Sequence, residues 1–487
     1  MIKVLCAVTS LLMLVAPVYD YNGQDSFYNE VKVINEQHAL EAMRVPDVDI
    51  KAYTPDMKEF EAGFTAEELE SMTEYSKYKV SASRLTHEEA ETDADLIFRI
   101  LKNCYGAYFY FGGDNAFERA KENILSDCKA AGDRLSVGIL RESLKRNLRF
   151  VKDGHFRIDN EPVLEKAIYY FNEEAVFLKD EKGYYFEEDG KKSYVSMVDG
   201  SNEIEKYMKR SIDGKGMLVY KIGMLSMAAR GTVEVVFDNR TENIVLMPPK
   251  FENYTDNGTY YYEYEVNDIL VISISSFMYE QYGRRFVSSA EAVKNSKISV
   301  LDMRGNCGGM SEYVMDWLDI YDPALSKYAA GNVYASRISR AADYLKYKNL
   351  GQYLSEQETE QLLNNYRSGS NGWEIKESPS FVRSENSNLL FVLVDNYTFS
   401  AGEWLIAALR NKDNVIFVGT NSGGGLMSDS AIKIVLPNSR INMQCGTGLG
   451  FYYDDTVFTE ETGFLPDIWV NEDAMRYTLE LISYYGL

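Results

Sequence analysis

Residues 389–410 carry the sequence Leu-Leu-Phe-Val-Leu-Val-Asp-Asn-Tyr-Thr-Phe-Ser-Ala-Gly-Glu-Trp-Leu-Ile-Ala-Ala-Leu-Arg. The unbroken apolar run Leu389–Val394 is typical of a strand that is buried on both faces. A polar break follows, and Ala401–Leu409 then has the spacing of a core-facing helix. Ser400 lies where the helix begins, beside backbone N–H groups that have no partner within the helix. Those groups and the helix dipole favour negative charge, which a serine nucleophile of acyl transfer needs.

The same serine also has a purely structural interpretation. Glu403 follows Ser400 by three residues, which is the spacing of a capping box at the start of a helix. Because helix caps are far commoner than nucleophiles, this stretch alone favours the cap. A lone histidine, His155, and the stretch 298–310 shift the balance toward a nucleophile.

Composition limits the class of protein. The chain has 487 residues, enough for two to four domains, and its hydrophobic content of 45% indicates a globular protein with real cores. A formal net charge of −23 argues against a nucleic-acid partner and against binding to anionic lipid through a basic patch. The cysteines show no Cys-x-x-Cys pair and no nearby histidine, so we expect no metal site and no disulfide framework.

The N-terminus resembles a secretory signal. Lys3 precedes the apolar run Val4–Val18, which fits the charged and apolar regions of such a signal and is short for a membrane span. The region after it is a poor cleavage site, so residues 1–20 are either a signal peptide or an uncleaved anchor, with a buried helix as the alternative. We therefore expect an exported protein, secreted or associated with the cell envelope, with any membrane attachment confined to residues 4–18.

Four further segments follow. Residues 21–87 are acidic and irregular, which predicts a loosely structured leader. Residues 88–160 have helical periodicity and end in a turn, Asp153-Gly154-His155. Residues 161–262 consist of short alternating runs, which predict a β-rich insert that either holds a peptide on a strand edge or acts as a structural lid. Residues 263–487 alternate apolar strands with helices, which predicts an α/β core with parallel pairing within an α+β multidomain chain.

One loop of this core is rich in glycine. The predicted strand Ile298–Met303 leads into Arg304-Gly-Asn-Cys-Gly-Gly309. Glycines after a strand let the backbone approach a ligand closely and expose N–H groups. Such groups bind a phosphate, a turn or an oxyanion, and the glycine pair alone does not decide between them.

Three stretches together resemble the motifs of one family: Asp302-Met-Arg-Gly-Asn-Cys-Gly-Gly309, Thr398-Phe-Ser-Ala-Gly-Glu403 and Asp153-Gly-His155. It is the serine peptidase family of the C-terminal processing (tail-specific) proteases, the tricorn protease core and the retinoid-binding repeats. The order of the motifs also agrees, including a final Gly463-Phe-Leu-Pro-Asp467. The resemblance implies a crotonase/ClpP-like α/β catalytic core. It also places the β-rich insert where relatives carry a PDZ domain, although no clear carboxylate-binding loop is present.

The family has two catalytic arrangements. Tail-specific proteases of the bacterial type pair the serine with a lysine in the glycine-rich turn, and Ser422–Leu426 contains no lysine. The tricorn-like arrangement uses the histidine of the Asp-Gly-His turn and a glutamate three residues before the glycine of Gly-x-x-Pro-Asp. Those residues are His155 and Glu460, and a slip of one residue would make Glu461 the glutamate. Gly154 stands where the tricorn pattern has a serine, so that polar group is missing or supplied from elsewhere.

The resemblance assigns a role to each residue. Ser400 would be the nucleophile and His155 the general base, while Glu460 would orient the histidine directly or through an intermediary. The oxyanion hole would consist of backbone N–H groups, from Gly308 or Gly309 and from Ala401. Hydrolysis would pass through an acyl-enzyme and would need no metal or cofactor.

The leading hypothesis is therefore an exported serine endopeptidase that acts on a peptide or protein substrate. The alternative is a catalytically inactive member that binds peptides or apolar ligands in the same cleft, as the retinoid-binding relatives do. An esterase of the α/β-hydrolase type is disfavoured because the Gly-x-Ser-x-Gly elbow is missing and the histidine precedes the serine. The sequence indicates neither the substrate nor the oligomeric state.

Overall fold

The structure is a computed structural model that describes residues 23–44, 46–57, 63–73, 84–132, 135–249, 258–326, 333–377 and 383–487. The predicted signal or anchor at residues 1–20 lies outside these ranges. No helix within them is long and apolar enough to cross a membrane. The same ranges contain no group of three or more histidine, cysteine, aspartate or glutamate residues that could hold a metal ion.

The N-terminal part is mainly helical. Its α-helices are α1 (Gln24–Ala42), α2 (Ala66–Thr73), α3 (His87–Cys104), α4 (Gly113–Ala130) and α5 (Val137–Asn147). Its strands are two antiparallel pairs, β1 (Arg84–Leu85) with β2 (Leu135–Ser136) and β3 (Arg157–Ile158) with β4 (Glu161–Pro162). Helix α1 lies where the sequence predicted an irregular leader. It is ordered because Phe27, Val31 and Ile34, at helical spacing, are buried against the central sheet.

The described residues between 161 and 262 are mostly β-structure. The strands are β5 (Ile168–Phe171), β6 (Leu178–Asp180), β7 (Gly183–Glu188), β8 (Lys191–Val198), β9 (Met208–Ile212), β10 (Leu218–Ser226), β11 (Thr232–Phe237) and β12 (Thr241–Val245). They form a three-stranded sheet of order β5-β10-β9 and a five-stranded sheet of order β12-β11-β8-β7-β6. Both sheets contribute to one aromatic and aliphatic core that includes Tyr170, Phe177 and Ile222.

A six-stranded sheet is the centre of the remaining part. Its order is β13-β14-β15-β18-β19-β25, and every pair is parallel except β13 with β14. The strands of this part are β13 (Tyr261–Val266), β14 (Ile269–Ile274), β15 (Ile298–Asp302), β16 (Val333–Ile338), β17 (Gly372–Glu377), β18 (Leu389–Val394), β19 (Val415–Gly419), β20 (Ile432–Val435), β21 (Asn442–Cys445), β22 (Gly448–Phe451), β23 (Phe458–Thr459), β24 (Gly463–Phe464) and β25 (Ile468–Trp469). The α/β class predicted from the sequence is confirmed.

Helices cover both faces of this sheet. The helices of this part are α6 (Glu280–Asn295), α7 (Ser311–Tyr321), α8 (Pro323–Ser326), α9 (Arg340–Leu350), α10 (Glu356–Ser368), α11 (Ala401–Leu409) and α12 (Ala474–Tyr485). Helix α9 packs in the core of the helical subdomain instead of on the sheet. Alternate residues of β18 pack into two different cores, one with α6, α7 and α11 and the other with α1 and α12. This two-sided burial explains why the strand is an unbroken apolar run.

The loops that carry the candidate site residues lie at the carboxyl edge of the sheet. Ser400 follows β18, and the glycine-rich loop 303–310 follows β15, its neighbour in the sheet. His155 comes from the helical subdomain. It reaches the same edge because β3, directly after the histidine turn, pairs with β21 of the core.

Candidate active site

Ser400 lies between β18 and α11 in a strained backbone conformation. Its φ of 57° and ψ of −119° are unusual for a residue with a side chain. The turn before it is held by Asp395, whose Oδ1 accepts hydrogen bonds from the backbone N–H groups of Tyr397 and Thr398 at 3.0 Å each. The half-buried serine is therefore presented at the sheet edge by a fixed turn.

His155 lies directly against this serine. Its Nε2 atom is 3.1 Å from Ser400 Oγ, and its ring packs on Phe399 with the centroids 4.8 Å apart. The turn is fixed by Asp153, whose Oδ1 accepts from the N–H of His155 at 2.8 Å and whose Oδ2 accepts from the Tyr105 hydroxyl at 2.8 Å. The structure thus brings together two of the residues predicted from the sequence.

Burial determines the charge of this imidazole. Removal from water lowers the pKa of His155 to about 4. The Asp429 carboxylate acts in the opposite direction, and the cations Lys166, Arg157 and Lys433 add to the lowering. The ring is therefore neutral near pH 7 and can accept a proton from the serine hydroxyl.

The glycine-rich loop lies beside the serine. A Cβ atom on Gly308 would lie 2.8 Å from Ser400 Cβ and 3.0 Å from the backbone nitrogen of Ala401. The N–H of Gly308 is itself donated to Asn306 Oδ1 at 2.9 Å. Gly309 has a φ of 137°, and a Cβ there would lie 2.5 Å from Met278 N. Ala401 is the first residue of α11, where an N–H has no acceptor within the helix.

The two candidate glutamates lie in different surroundings. Glu460 is buried, and its carboxylate accepts from three backbone N–H groups: Gly154 at 2.7 Å, and Leu426 and Met427 at 2.9 Å each. Glu461 instead pairs with Lys152 at 3.4 Å, and the two side chains are 25% and 42% exposed. Glu460 is thus the glutamate within the site.

Glu460 does not hydrogen-bond the imidazole directly, which leaves the second of the two predicted possibilities, an effect through an intermediary. The Nδ1 atom of His155 is buried and has no hydrogen-bond partner among the described residues. Glu460 instead binds the N–H of Gly154, the residue before the histidine. Any orienting effect of Glu460 therefore acts through the backbone of the turn.

Glu403 is a part of the site that the sequence indicated only as a helix cap. Its Oε2 accepts from the backbone N–H of Ser400 at 3.1 Å, which is one half of a capping box. Its Oε1 accepts from Ser422 Oγ at 2.6 Å and from Gly424 N at 2.7 Å. The carboxyl is fully buried, and this burial raises its pKa to about 7. The cap and the nucleophile interpretations are therefore compatible.

Two further charged groups were missed from the sequence. Asp153 is fully buried, and burial, followed by the nearby Glu460, raises its pKa to about 7. Lys166, two residues before β5, donates from Nζ to the carbonyl oxygens of Gly424 and Glu460. The Asp-Gly-His motif contained a signal for the aspartate, but no motif or periodicity pointed to the lysine.

Comparison with known proteins gives one family. Residues 268–470 match the model of peptidase family S41, whereas no curated protein matches the chain. Among solved structures, mature CPAF complexed with lactacystin is 12% identical, with a TM-score of 0.39, over 82% of this chain and 97% of that one. The photosystem II D1 C-terminal processing protease is 13% identical, with a TM-score of 0.32, over 78% and 93%. The tricorn protease is 12% identical, with a TM-score of 0.33, over 80% and 35%.

Proposed function

Because residues 268–470 match the model of peptidase family S41, we propose that the chain is a serine endopeptidase with Ser400 as nucleophile and His155 as general base. The observation that carries the proposal is the distance of 3.1 Å between His155 Nε2 and Ser400 Oγ. This is within the range over which a general base takes the proton of a nucleophile. The substrate is a peptide or protein.

The reaction proceeds in two steps. Ser400 Oγ attacks the carbonyl carbon of the scissile bond while its proton passes to Nε2 of His155. The tetrahedral oxyanion is stabilised by the backbone N–H groups of Ala401 and Gly309, since the N–H of Gly308 is donated to Asn306 Oδ1, and losing one such donor costs about 2.7–4 kcal/mol. His155 then protonates the leaving amine, which leaves an acyl-enzyme. Water attacks this ester, and the histidine takes the water proton and returns a proton to Ser400.

Two carboxylates support the histidine in different ways. Glu460 holds the Gly154 N–H and so fixes the backbone of the turn that carries the imidazole. Asp429 is the anion whose charge raises the pKa of His155 against the effect of burial. We propose that Glu460 acts as a positioning residue and that Asp429 stabilises the imidazolium formed during the reaction.

One observation favours the second candidate function, a catalytically silent member that binds peptides. Nδ1 of His155 has no hydrogen-bond partner among the described residues, whereas a general base of this kind is usually oriented through that atom. In this alternative, the Ser400–His155 pair would be structural and the cleft would bind a chain without cleaving it.

A fluorophosphonate probe distinguishes the two functions, because it reacts only with an activated serine. The purified protein is treated with the probe, and the adduct is mapped by mass spectrometry. We expect labelling at Ser400, abolished in Ser400→Ala and reduced at least a hundredfold in His155→Ala. His87→Ala, which changes a histidine at the start of α3, is the matched control and should label at the unchanged rate. A folded protein that is not labelled would support the silent binding member.

We also propose that the protein is exported, on the basis of the apolar run Val4–Val18. The expected result is recovery of the protein outside the cytoplasm or in the envelope of the cell that makes it. Replacing two leucines of the run, Leu11 and Leu12, with aspartate should retain the protein in the cytoplasm. Unchanged distribution of this variant would contradict export through the segment.

A further inference from the structure

Lys166 reaches the active site from outside the catalytic core. Its Nζ donates to the backbone carbonyl of Gly424, in the glycine-rich turn, and to that of Glu460 at 2.5 Å. The same ammonium lies 5.6 Å from the centroid of the Phe399 ring, which precedes Ser400 and packs on His155. The backbone next to the lysine is fixed as well, because the N–H of Ala167 donates to the carbonyl of Glu461 at 2.9 Å.

Gly154 leaves the space that this ammonium occupies. A Cβ atom at residue 154 would lie 2.9 Å from Lys166 Nζ, 2.0 Å from the carbonyl oxygen of Gly424 and 3.1 Å from Glu460 Oε2. The smallest side chain would therefore collide with the lysine and with the carbonyl that the lysine binds. The carbonyl of Gly424 thus excludes a side chain at residue 154, and the space that this leaves is occupied in part by the ammonium.

The lysine is also the cation of a buried acidic cluster. The anions that act on it are the carboxylates of Glu460, Glu403, Asp153 and Glu461. Three of the four are buried, and they bind the N–H groups of Gly154, Ser400 and His155 respectively. Buried like charges repel strongly unless a cation compensates them. The ammonium therefore acts on the three carboxylates that fix the nucleophile and the histidine turn.

We propose that Lys166 is a positioning residue of the peptidase reaction: its ammonium joins the glycine-rich turn to the Glu460 carbonyl and compensates part of the negative charge of the acidic cluster that fixes Ser400 and His155. The proposal rests on the function proposed above for those two residues. Under this proposal, Lys166, at the boundary of the β-rich insert, provides the polar group that the tricorn pattern has at residue 154 and that Gly154 lacks.

A role in the reaction can be separated from a role in stability by the pH profile. The charges that face His155 are the anion Asp429 and the cations Lys166, Arg157 and Lys433, and those that face Lys166 are the four carboxylates named above. Removing the ammonium removes a charge that lowers the pKa of His155. The pKa of the imidazole then rises, so the acidic limb of the labelling reaction moves to higher pH. A residue that only stabilises the fold leaves this limb in place.

The test measures the rate of fluorophosphonate labelling at Ser400 against pH, with the full chain. Lys166→Met removes both charge and donors, Lys166→Gln keeps a hydrogen-bond donor without charge, and Lys166→Arg keeps the charge. The control is Lys152→Met, which removes a half-exposed lysine that pairs with Glu461 outside the site. We expect the midpoint of the acidic limb to rise by about one pH unit in the Met and Gln variants. It should stay within about 0.3 units, near the scatter of such measurements, in the Arg variant and the control.

Each outcome decides the question. An unchanged limb in a folded Lys166→Met or Lys166→Gln protein would overturn the proposal. Loss of folding in both neutral variants, with a folded Lys166→Arg, would assign the lysine to stability and would also overturn it. A wild-type chain that is not labelled at Ser400 would remove the proposed function, and this inference with it. That result is read from the wild type alone, so the two failures are distinguishable.

Discussion

Gly154→Ser would install the residue that the tricorn pattern has before the histidine, and we expect it to disrupt the site. The added Cβ would lie 2.0 Å from the Gly424 carbonyl oxygen and 2.9 Å from Lys166 Nζ. Overpacking of this kind costs about 1–3 kcal/mol. The shift of the backbone would also break the hydrogen bond of 2.7 Å from Gly154 N to Glu460, and a hydrogen bond to a charged group is worth about 1.5–3 kcal/mol. The combined loss is about 2.5–6 kcal/mol.

This loss is measurable because it is a large part of the 5–15 kcal/mol that stabilises a typical domain. Urea unfolding gives the loss of stability, and fluorophosphonate labelling gives the effect on Ser400, which we expect to fall about a hundredfold. Gly138→Ser is the matched control, because a Cβ there has its nearest contact at 3.7 Å, to Ser136 Oγ. The reasoning is refuted if Gly154→Ser unfolds at the same urea concentration as Gly138→Ser and labels at the wild-type rate.

Three further predictions concern charge. Because burial lowers the pKa of His155 to about 4, the imidazole is neutral above that pH, and labelling should fall only as the pH drops through about 4; a midpoint near 7 would contradict the assignment. Glu460→Gln places an amide among three N–H donors and should slow labelling of Ser400 about ten- to a hundredfold. Glu461→Gln should change the labelling rate less than about twofold. Equal effects of the two variants would contradict the choice of Glu460 as the positioning residue. His38→Leu removes the 2.8 Å contact of the buried His38 Nε2 with Asp467 Oδ1 and should lower the free energy of unfolding by about 1.5–3 kcal/mol; an unchanged urea midpoint would show that the pair adds nothing.

The catalytic sheet could be predicted closely because its pattern is simple. The predicted strand Leu389–Val394 and the predicted helix Ala401–Leu409 have the bounds that the structure gives them. A strand between two layers of helices must be apolar at every position, and a helix in the next layer must start where the polar turn ends. The sequence also indicated the residues of the Ser400–His155 pair, since the motifs have a fixed order along the chain.

The surroundings of that pair could not be predicted, because they depend on contacts between distant parts of the chain. Lys166 meets Gly424 and Glu460 across 258 and 294 residues, and its local sequence is an ordinary polar segment. The contact of Glu460 with Gly154 N–H, in place of the imidazole, depends on where the glycine-rich turn lies. Similarly, the sequence of α1 predicts an irregular segment, because its many acidic residues outnumber a narrow apolar face. That face stabilises the helix only when it packs against the central sheet.

The packing of the glycine-rich turn supports the proposed Ser400–His155 arrangement over a lysine dyad. A Cβ at Gly425 would lie 2.3 Å from the Phe399 ring, and one at Gly424 would lie 2.2 Å from the Glu460 carbonyl oxygen. A lysine at residue 425 would therefore displace the aromatic ring that packs on His155, and one at residue 424 would displace the turn that carries Glu460. The turn is instead bound by Glu403 through the Gly424 N–H and by Lys166 through the Gly424 carbonyl. The packing that excludes a lysine side chain from the turn thus leaves room for the ammonium of Lys166, which comes from the boundary of the β-rich insert. There Lys166 supports His155 and does not replace it as the base.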